Sequence, residues 1–324
     1  MSQSQFVSKC TTDALQLAAT TLLHGNLVAF PTETVYGLGA DAKNPEAVKR
    51  IYEVKGRPTD HPLIVHISSI NQLEKWAIDI PEYALKLANE FWPGPMTLIL
   101  KRSALAKDFI TGGQDNVGVR VPKQPVALAL LAQFREVGGL GVAAPSANRF
   151  GQVSPTTAEA VQGEVGDYLS DTDLVLDGGP SLVGVESTII DCTGELPRIL
   201  RPGAITTEMI EEVSGLKVSD SPEKKSDDLK QEDIRVSGSL ENHYAPKAKV
   251  FLDQQPVDGS GFIALESINT PDGVIRLAAP KTVEEFARVL YSALREGDHQ
   301  GLSSVYITQP TGDGLAIAIR DRLS

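Results

Sequence analysis

The sequence predicts an α/β protein in two parts: a larger domain with a twisted mixed sheet and a smaller α/β domain, joined by a polar linker. Three observations carry that prediction. Short apolar, partly β-branched runs alternate with amphipathic stretches through roughly the first two hundred of 324 residues. Between Ser219 and Ile234 nine of sixteen residues are charged and only Leu229 and Ile234 are large aliphatics, too little apolar surface to offset chain entropy. Structure resumes at Val250. The expected division is 1–213, a linker over 214–247, and 248–324.

In the first domain a helix over 12–24, capped near Thr11 or Thr12, stops at Gly25. A strand over 27–30 feeds a polar loop at Pro31. A helix spans 45–54, and Leu63–His66 is short, apolar and partly β-branched, hence a buried strand. Helices near 70–77 and 81–91 precede strands at Met96–Leu100 and Val117–Val121. A helix over 125–134, strands at Gly139–Ala143, 173–176, 185–190 and 197–200, and a short helix after Thr206 complete it. In the second domain Phe262–Leu265, Gly273–Arg276 and Ser304–Ile307 read as strands, and Thr282–Arg295 and Gly314–Arg322 as helices.

Charged residues make up 22% of the chain and hydrophobic residues 41%, ordinary for a globular protein. The formal net charge of −12 argues against coating nucleic acid, though not against a local basic site. Cys10 and Cys192 form no metal spacing and no disulfide framework, which makes the cytoplasm the default compartment. No apolar stretch reaches membrane-spanning length. The run Ala14–Leu23 lacks the basic start and small-residue cleavage pattern of a signal peptide.

The chemistry concentrates in loops at strand ends. Pro31-Thr-Glu-Thr-Val-Tyr-Gly-Leu-Gly39 follows the apolar run Leu27–Phe30, the place where open α/β folds hold ligands. Lys55-Gly-Arg-Pro58 sets two cations in a stiff turn; their bland explanation is a favourable meeting with a helix C-terminus. Ala144-Pro-Ser-Ala-Asn148 leads to Ser154-Pro-Thr156. Capping explains Thr156 or Thr157 but not Ser146 and Asn148. Arg120 lies in an apolar strand, and a buried arginine needs anionic or carbonyl partners. Ser187 and Arg201 sit on neighbouring strand ends. Lys55, Arg57, Arg120 and Arg201 together describe a localised positive cavity suited to a phosphate-bearing ligand. His61 and His66 lie near it in sequence. Gly139-Leu-Gly141-Val-Ala-Ala144 mimics a dinucleotide fingerprint, but Pro145 and a polar loop follow instead of a helix. His243-Tyr-Ala-Pro-Lys247 is a stiff aromatic patch at the linker exit, either a lid over the pocket or the start of the second domain.

Taken together with Pro62-Leu-Ile-Val-His66, Pro93-Gly-Pro-Met-Thr97, Glu186-Ser-Thr-Ile-Ile190 and Arg201-Pro-Gly203, these motifs resemble the threonylcarbamoyl-AMP synthases. The resemblance covers the YrdC-like part nearly end to end. The linker and the block from His243 are similar to the two-domain form, whose second domain is Rossmann-like. It implies that L-threonine, bicarbonate and ATP, with Mg2+, give threonylcarbamoyl-AMP and pyrophosphate. The product would pass to a tRNA-modifying transferase complex that makes threonylcarbamoyladenosine beside the anticodon; direct tRNA contact stays open. By resemblance Thr34, His66, Arg120, Ala144 and Ser187 are threonine-site residues. Arg57, His61, Asn116, Ser146, Ser154, Arg201 and Tyr244 are ATP-site residues, and Lys55 and Arg57 the catalytic cations. His61 stands where asparagine or lysine is more usual, and Asn116 where a small hydroxyl residue is.

The residue types fit that chemistry. Attack of a carbamate on the α-phosphorus builds charge on phosphate oxygens, which fixed cations stabilise without a covalent nucleophile. Arg120 has the geometry to grip a carboxylate bidentately. No general base for the amine is evident. Two rival readings remain at this level: an RNA-binding module without catalysis, and a carbamoyl or acyl transferase using a related cavity. Pyrophosphate release that needs both threonine and bicarbonate separates them.

Overall fold

The computed structural model describes residues 7–9, 11–219, 234–236 and 245–324. The chain opens with β1 (Val7–Lys9) and α1 (Thr12–Leu23). Thr11 caps the helix, its hydroxyl accepting from the Ala14 N–H at 3.2 Å. β2 (Val28–Phe30) is buried at every position, and β3 (Gly37–Asp41) returns antiparallel to it, so the Pro31 loop is a hairpin connection. α2 (Pro45–Lys55) has the Asn44 side chain as cap, proline in its first turn, and Gly56 closing it in the left-handed region at φ 62°.

β4 (Ile64–His66), α3 (Leu73–Trp76), α4 (Glu82–Phe91), β5 (Met96–Lys101), α5 (Asp108–Thr111) and β6 (Asn116–Arg120) follow. Then come α6 (Pro125–Glu136), β7 (Val142–Ala143), α7 (Ala158–Val165), β8 (Leu174–Asp177), β9 (Thr188–Asp191), β10 (Arg198–Arg201) and α8 (Thr207–Ser214). Among the described residues ten strands form one mixed sheet in the order β1-β8-β2-β3-β7-β4-β6-β5-β9-β10. One side buries Leu22, Phe30, Leu130 and Phe134, where α1 and α6 pack. The other buries Ile51, Trp76, Leu87 and Ile210 from α2, α3, α4 and α8. Burying a side chain such as Phe30 is worth about 1.5–3 kcal/mol, so the two layers hold the sheet rigid beneath the loops.

The second part carries β11 (Lys249–Leu252), β12 (Gly261–Ile263), β13 (Ile275–Ala278), α9 (Val283–His299), β14 (Ser304–Ile307) and α10 (Leu315–Leu323). Its four strands run parallel in the order β11-β14-β12-β13. Its core is shared with the first part: Val35, Val153 and Val185 pack with Phe286, Leu290, Tyr291 and Leu294 of α9. Gly184, at φ 83°, permits that approach. A Cβ there would lie 2.4 Å from both the Ala287 carbonyl oxygen and the Arg288 Cα.

Several elements differ from expectation. β1, β3, α7 and β11 were not anticipated. The strand expected over 139–143 is only Val142–Ala143. That over 185–190 begins at Thr188, which leaves Glu186 and Ser187 in the loop ahead of it. The strand expected at Gly273–Arg276 lies at Ile275–Ala278, and α9 runs on to His299. Within the polar linker, Ile234 and Val236 pack on Ile99 and Ile189 of the sheet. Arg235 exchanges hydrogen bonds with the Gln114 amide, its N–H donating at 2.7 Å and its carbonyl accepting at 3.1 Å.

Candidate active site

Alternation along each strand puts Ile64 and His66, Gly118 and Arg120, and Thr97 and Ile99 on one face of the sheet. His66 and Arg120 are register partners, as are Ile64 and Gly118. This face therefore has an apolar row, which Ile234 and Val236 cover, beside a polar row of His66, Arg120 and Thr97. Over the polar row lies a cleft of about 620 Å³, including solvent at its mouth. Thr34, Lys55, Arg57, His66, Arg120, Ala144, Ser146, Glu186, Ser187 and Arg201 all line it. The four cations expected to share a cavity border the same one.

Each cation is held by its own partners. Arg120 donates from Nη2 to Glu33 Oε1 at 2.6 Å, from Nη1 to Thr34 Oγ1 at 3.0 Å and from Nε to the Gly94 carbonyl at 3.3 Å. One N–H on each nitrogen is thus engaged, which leaves a substrate carboxylate only the second N–H of each terminal nitrogen. Lys55 Nζ donates to the Ser146 and Asn148 carbonyls at 2.6 and 2.5 Å. It fastens the 146–148 loop to the end of α2. Its burial, with Arg57 nearby, holds the ammonium pKa well below the usual lysine range. Arg57 donates to the Pro62 carbonyl at 3.1 Å and lies over the Phe150 ring. Arg201 donates from Nε and Nη2 to the Ser187 carbonyl at 3.1 and 3.0 Å, and from Nη2 to its hydroxyl at 3.2 Å. Ser187 Oγ also lies 2.8 Å from Thr97 Oγ1.

The remaining groups are buried and polar. Thr32 Oγ1 donates to the Val35 carbonyl at 2.6 Å and lies 2.8 Å from Thr34 Oγ1, which fixes the hairpin loop. Burial and the Arg120 charge push the His66 imidazole down to about 3, so it is neutral at physiological pH. Its Nδ1 is buried without a hydrogen-bond partner. Arg149 turns away and donates to the Glu53 and Val54 carbonyls at the end of α2, a structural role. Thr157 caps α7 through the Ala160 N–H, as its bland reading required.

Three expected site residues do not border the cleft, and a fourth is not described. His61 packs edge-on against the lining residue Phe150 with ring centroids 5.4 Å apart. Asn116 lines a separate, smaller cavity with Ile234, Arg235 and Val236, adjoining the cleft at Ile64. Ser154 is fully buried near Glu186, whose carboxyl is held below the usual range, against its burial, chiefly by the charges of Arg322 and Arg201. His243 and Tyr244 lie outside the described residues; Ala245, which follows, donates its N–H to the Gly151 carbonyl at 3.0 Å. Sequence reasoning missed Glu33 as the Arg120 partner. The signal was present, since Glu33 is the one carboxylate in the Pro31 loop.

Among the described residues Glu186 is the one carboxylate bordering the cleft, its Oε2 paired with Arg322 at 2.7 Å; Glu33, outside the lining, is paired with Arg120 at 2.6 Å. Among the described residues no three His, Cys, Asp or Glu side chains cluster to hold a metal. The donor set therefore does not fit a protein-held magnesium ion; such an ion would have to arrive on a triphosphate.

Comparison with known proteins identifies the family of the chain. The Sua5/YciO/YrdC family model, described as "Telomere recombination", matches residues 20–203. A second model, "Threonylcarbamoyl-AMP synthase, C-terminal domain", matches residues 205–324. The chain is 42% identical to a threonylcarbamoyl-AMP synthase from Pyrococcus abyssi, over 95% of this chain and 92% of that one. It is 40% identical to the Bacillus subtilis synthase, over 94% and 90%. The crystal structure of P. abyssi Sua5 complexed with L-threonine superposes with a TM-score of 0.85 at 39% identity, covering 98% of this chain and 96% of that one. The chain belongs to the Sua5/YciO/YrdC family, in the form that carries the C-terminal domain of threonylcarbamoyl-AMP synthases.

Proposed function

We infer that the protein is an L-threonylcarbamoyladenylate synthase, a nucleotidyltransferase serving threonylcarbamoyladenosine synthesis on tRNA. The observation that carries this is one cleft bordered by Lys55, Arg57, Arg120 and Arg201, with hydroxyls between them, in a chain similar to such synthases over nearly its whole length. The threonine nitrogen bonds to the carbon of bicarbonate and water leaves, giving a carbamate. A carbamate oxygen then bonds to the α-phosphorus of ATP as the bond to pyrophosphate breaks. Charge grows on the phosphate oxygens, and the fixed guanidinium groups stabilise it.

In this reading Thr34, His66, Arg120, Ala144 and Ser187 form the amino-acid end of the cleft, and Arg57, Ser146 and Arg201 the nucleotide end. His66 borders this end as a neutral imidazole. With a pKa near 3 it is too weak a base to retain an amine proton, so that proton is left to solvent. Lys55 acts by holding the 146–148 carbonyls. His61, Asn116 and Ser154, and by resemblance Tyr244, belong to a nucleotide site larger than the cleft. The division into 1–213, 214–247 and 248–324 fits this plan. A magnesium ion bound by the triphosphate, a cytoplasmic location and delivery of the product to a tRNA-modifying transferase complete the proposal.

Pyrophosphate release tests it. Release from ATP should require L-threonine and bicarbonate together. Release with either alone, or none with both, would overturn the assignment.

A further inference from the structure

We propose that Arg322, in the last turn of α10, is a positioning residue for the first domain's cleft and holds Ser187 and Arg201 in register. The proposal rests on the synthase reading and extends it to the second domain. Arg322 Nε donates to Glu186 Oε2 at 2.7 Å, and Nη2 donates to the Pro202 carbonyl at 3.0 Å. Glu186 immediately precedes Ser187, and Pro202 immediately follows Arg201. Arg201 in turn grips the Ser187 carbonyl and hydroxyl. The contacts close a ring in which one link comes from the other end of the chain. Ser187 and Arg201 both border the cleft, one at its proposed amino-acid end and one at its proposed nucleotide end.

The ring is built for permanence. Both side chains of the Arg322–Glu186 pair are buried, at 1% and 6% exposure. Tyr291 Oη donates to the same Glu186 oxygen at 2.9 Å, and Arg322 Nη1 is braced by Asp321. The guanidinium reaches the carboxylate from Nε and the carbonyl from Nη2 in one rigid planar fork, a spacing that the single nitrogen of an ammonium does not reproduce. If docking alone were needed, the apolar contacts of α9 would serve. Instead a buried charge from α10 reaches the residues flanking the two cleft side chains.

The test is steady-state kinetics on the full-length chain. Deleting the second domain would expose Val35, Val153 and Val185 and confound the result. Arg322→Ala should raise the KM for both threonine and ATP at least tenfold, and guanidinium ion, well below denaturing concentration, should restore them in part. Arg322→Lys keeps a charge opposite Glu186 but loses the fork. It should raise both KM values several-fold in protein that remains fully folded at the assay temperature by circular dichroism. If the alanine variant does not fold, the lysine variant decides. Wild-type KM values in Arg322→Lys, or in a folded Arg322→Ala, would overturn the proposal while leaving the synthase assignment standing. Wild-type protein that released no pyrophosphate with threonine and bicarbonate would overturn both.

Discussion

Glu33 and Arg120 meet at 2.6 Å, the carboxylate from the hairpin loop after β2 and the guanidinium from the end of β6, both almost wholly buried. Removing one member of such a pair strands the other charge. Glu33→Gln should therefore destabilise the fold by about 3–5 kcal/mol in denaturant titration. The double variant Glu33→Gln/Arg120→Met should recover much of that stability without recovering activity. Stability equal to wild type in the single variant would show the pair to be energetically idle.

Arg120→Lys keeps a charge but cannot reproduce contacts on three nitrogens. Threonine affinity should fall more than ATP affinity. Calorimetric titrations showing equal loss for both ligands would contradict placing Arg120 at the amino-acid end.

Lys55 is bonded to two loop carbonyls rather than left pointing into open space. Lys55→Met leaves both acceptors without their donor and lets the 146–148 loop drift. A misplacement of about 1 Å costs on the order of 100-fold in rate, so kcat/KM for ATP should drop by that factor. An unchanged value would mean that the loop is ordered by other contacts.

His66 sets a pH dependence. Its pKa is 6.5 in an ordinary environment and about 3 in the fold. Below pH 6.5 the unfolded chain takes up a proton that the folded chain refuses. The stabilisation is complete above that pH and drains as pH falls toward 3, at up to about 1.4 kcal/mol per pH unit. Denaturant midpoints at pH 7, 6 and 5 should show the slope, and His66→Asn should reduce it. Parallel profiles for the two proteins would remove His66 as the cause.

Substrate selectivity should be modest. Serine lacks one methyl group, and a missing methyl contact costs roughly 1–3 kcal/mol, about 10–200-fold. Serine should support pyrophosphate release with kcat/KM reduced within that range. Discrimination far beyond it would point to a different sorting device.

Much of this was legible in the chain itself. The strands rich in Val, Ile and Leu announced themselves, and four cations from distant positions do border one cleft. β3 was hidden because Gly37-Leu-Gly-Ala has little β propensity of its own; pairing with β2 and β7 makes it a strand. α7 was hidden because its eight residues, Ala158–Val165, include a glycine and carry only a faint apolar stripe. Asn116, expected at the ATP site by resemblance alone, starts its strand, four residues from Arg120 and at the far end of β6. Least legible was the second domain's reach. Tyr291 and Arg322 lie 105 and 136 residues from Glu186, and no local pattern links them.

The grip of Arg201 on Ser187 has a thermodynamic corollary. If the guanidinium serves the nucleotide and the hydroxyl serves the amino acid, neither ligand can settle without altering the other's seat. Linkage then requires that the factor by which threonine changes nucleotide affinity equal the factor by which nucleotide changes threonine affinity. The two substrates would load as a correlated pair, whichever arrives first.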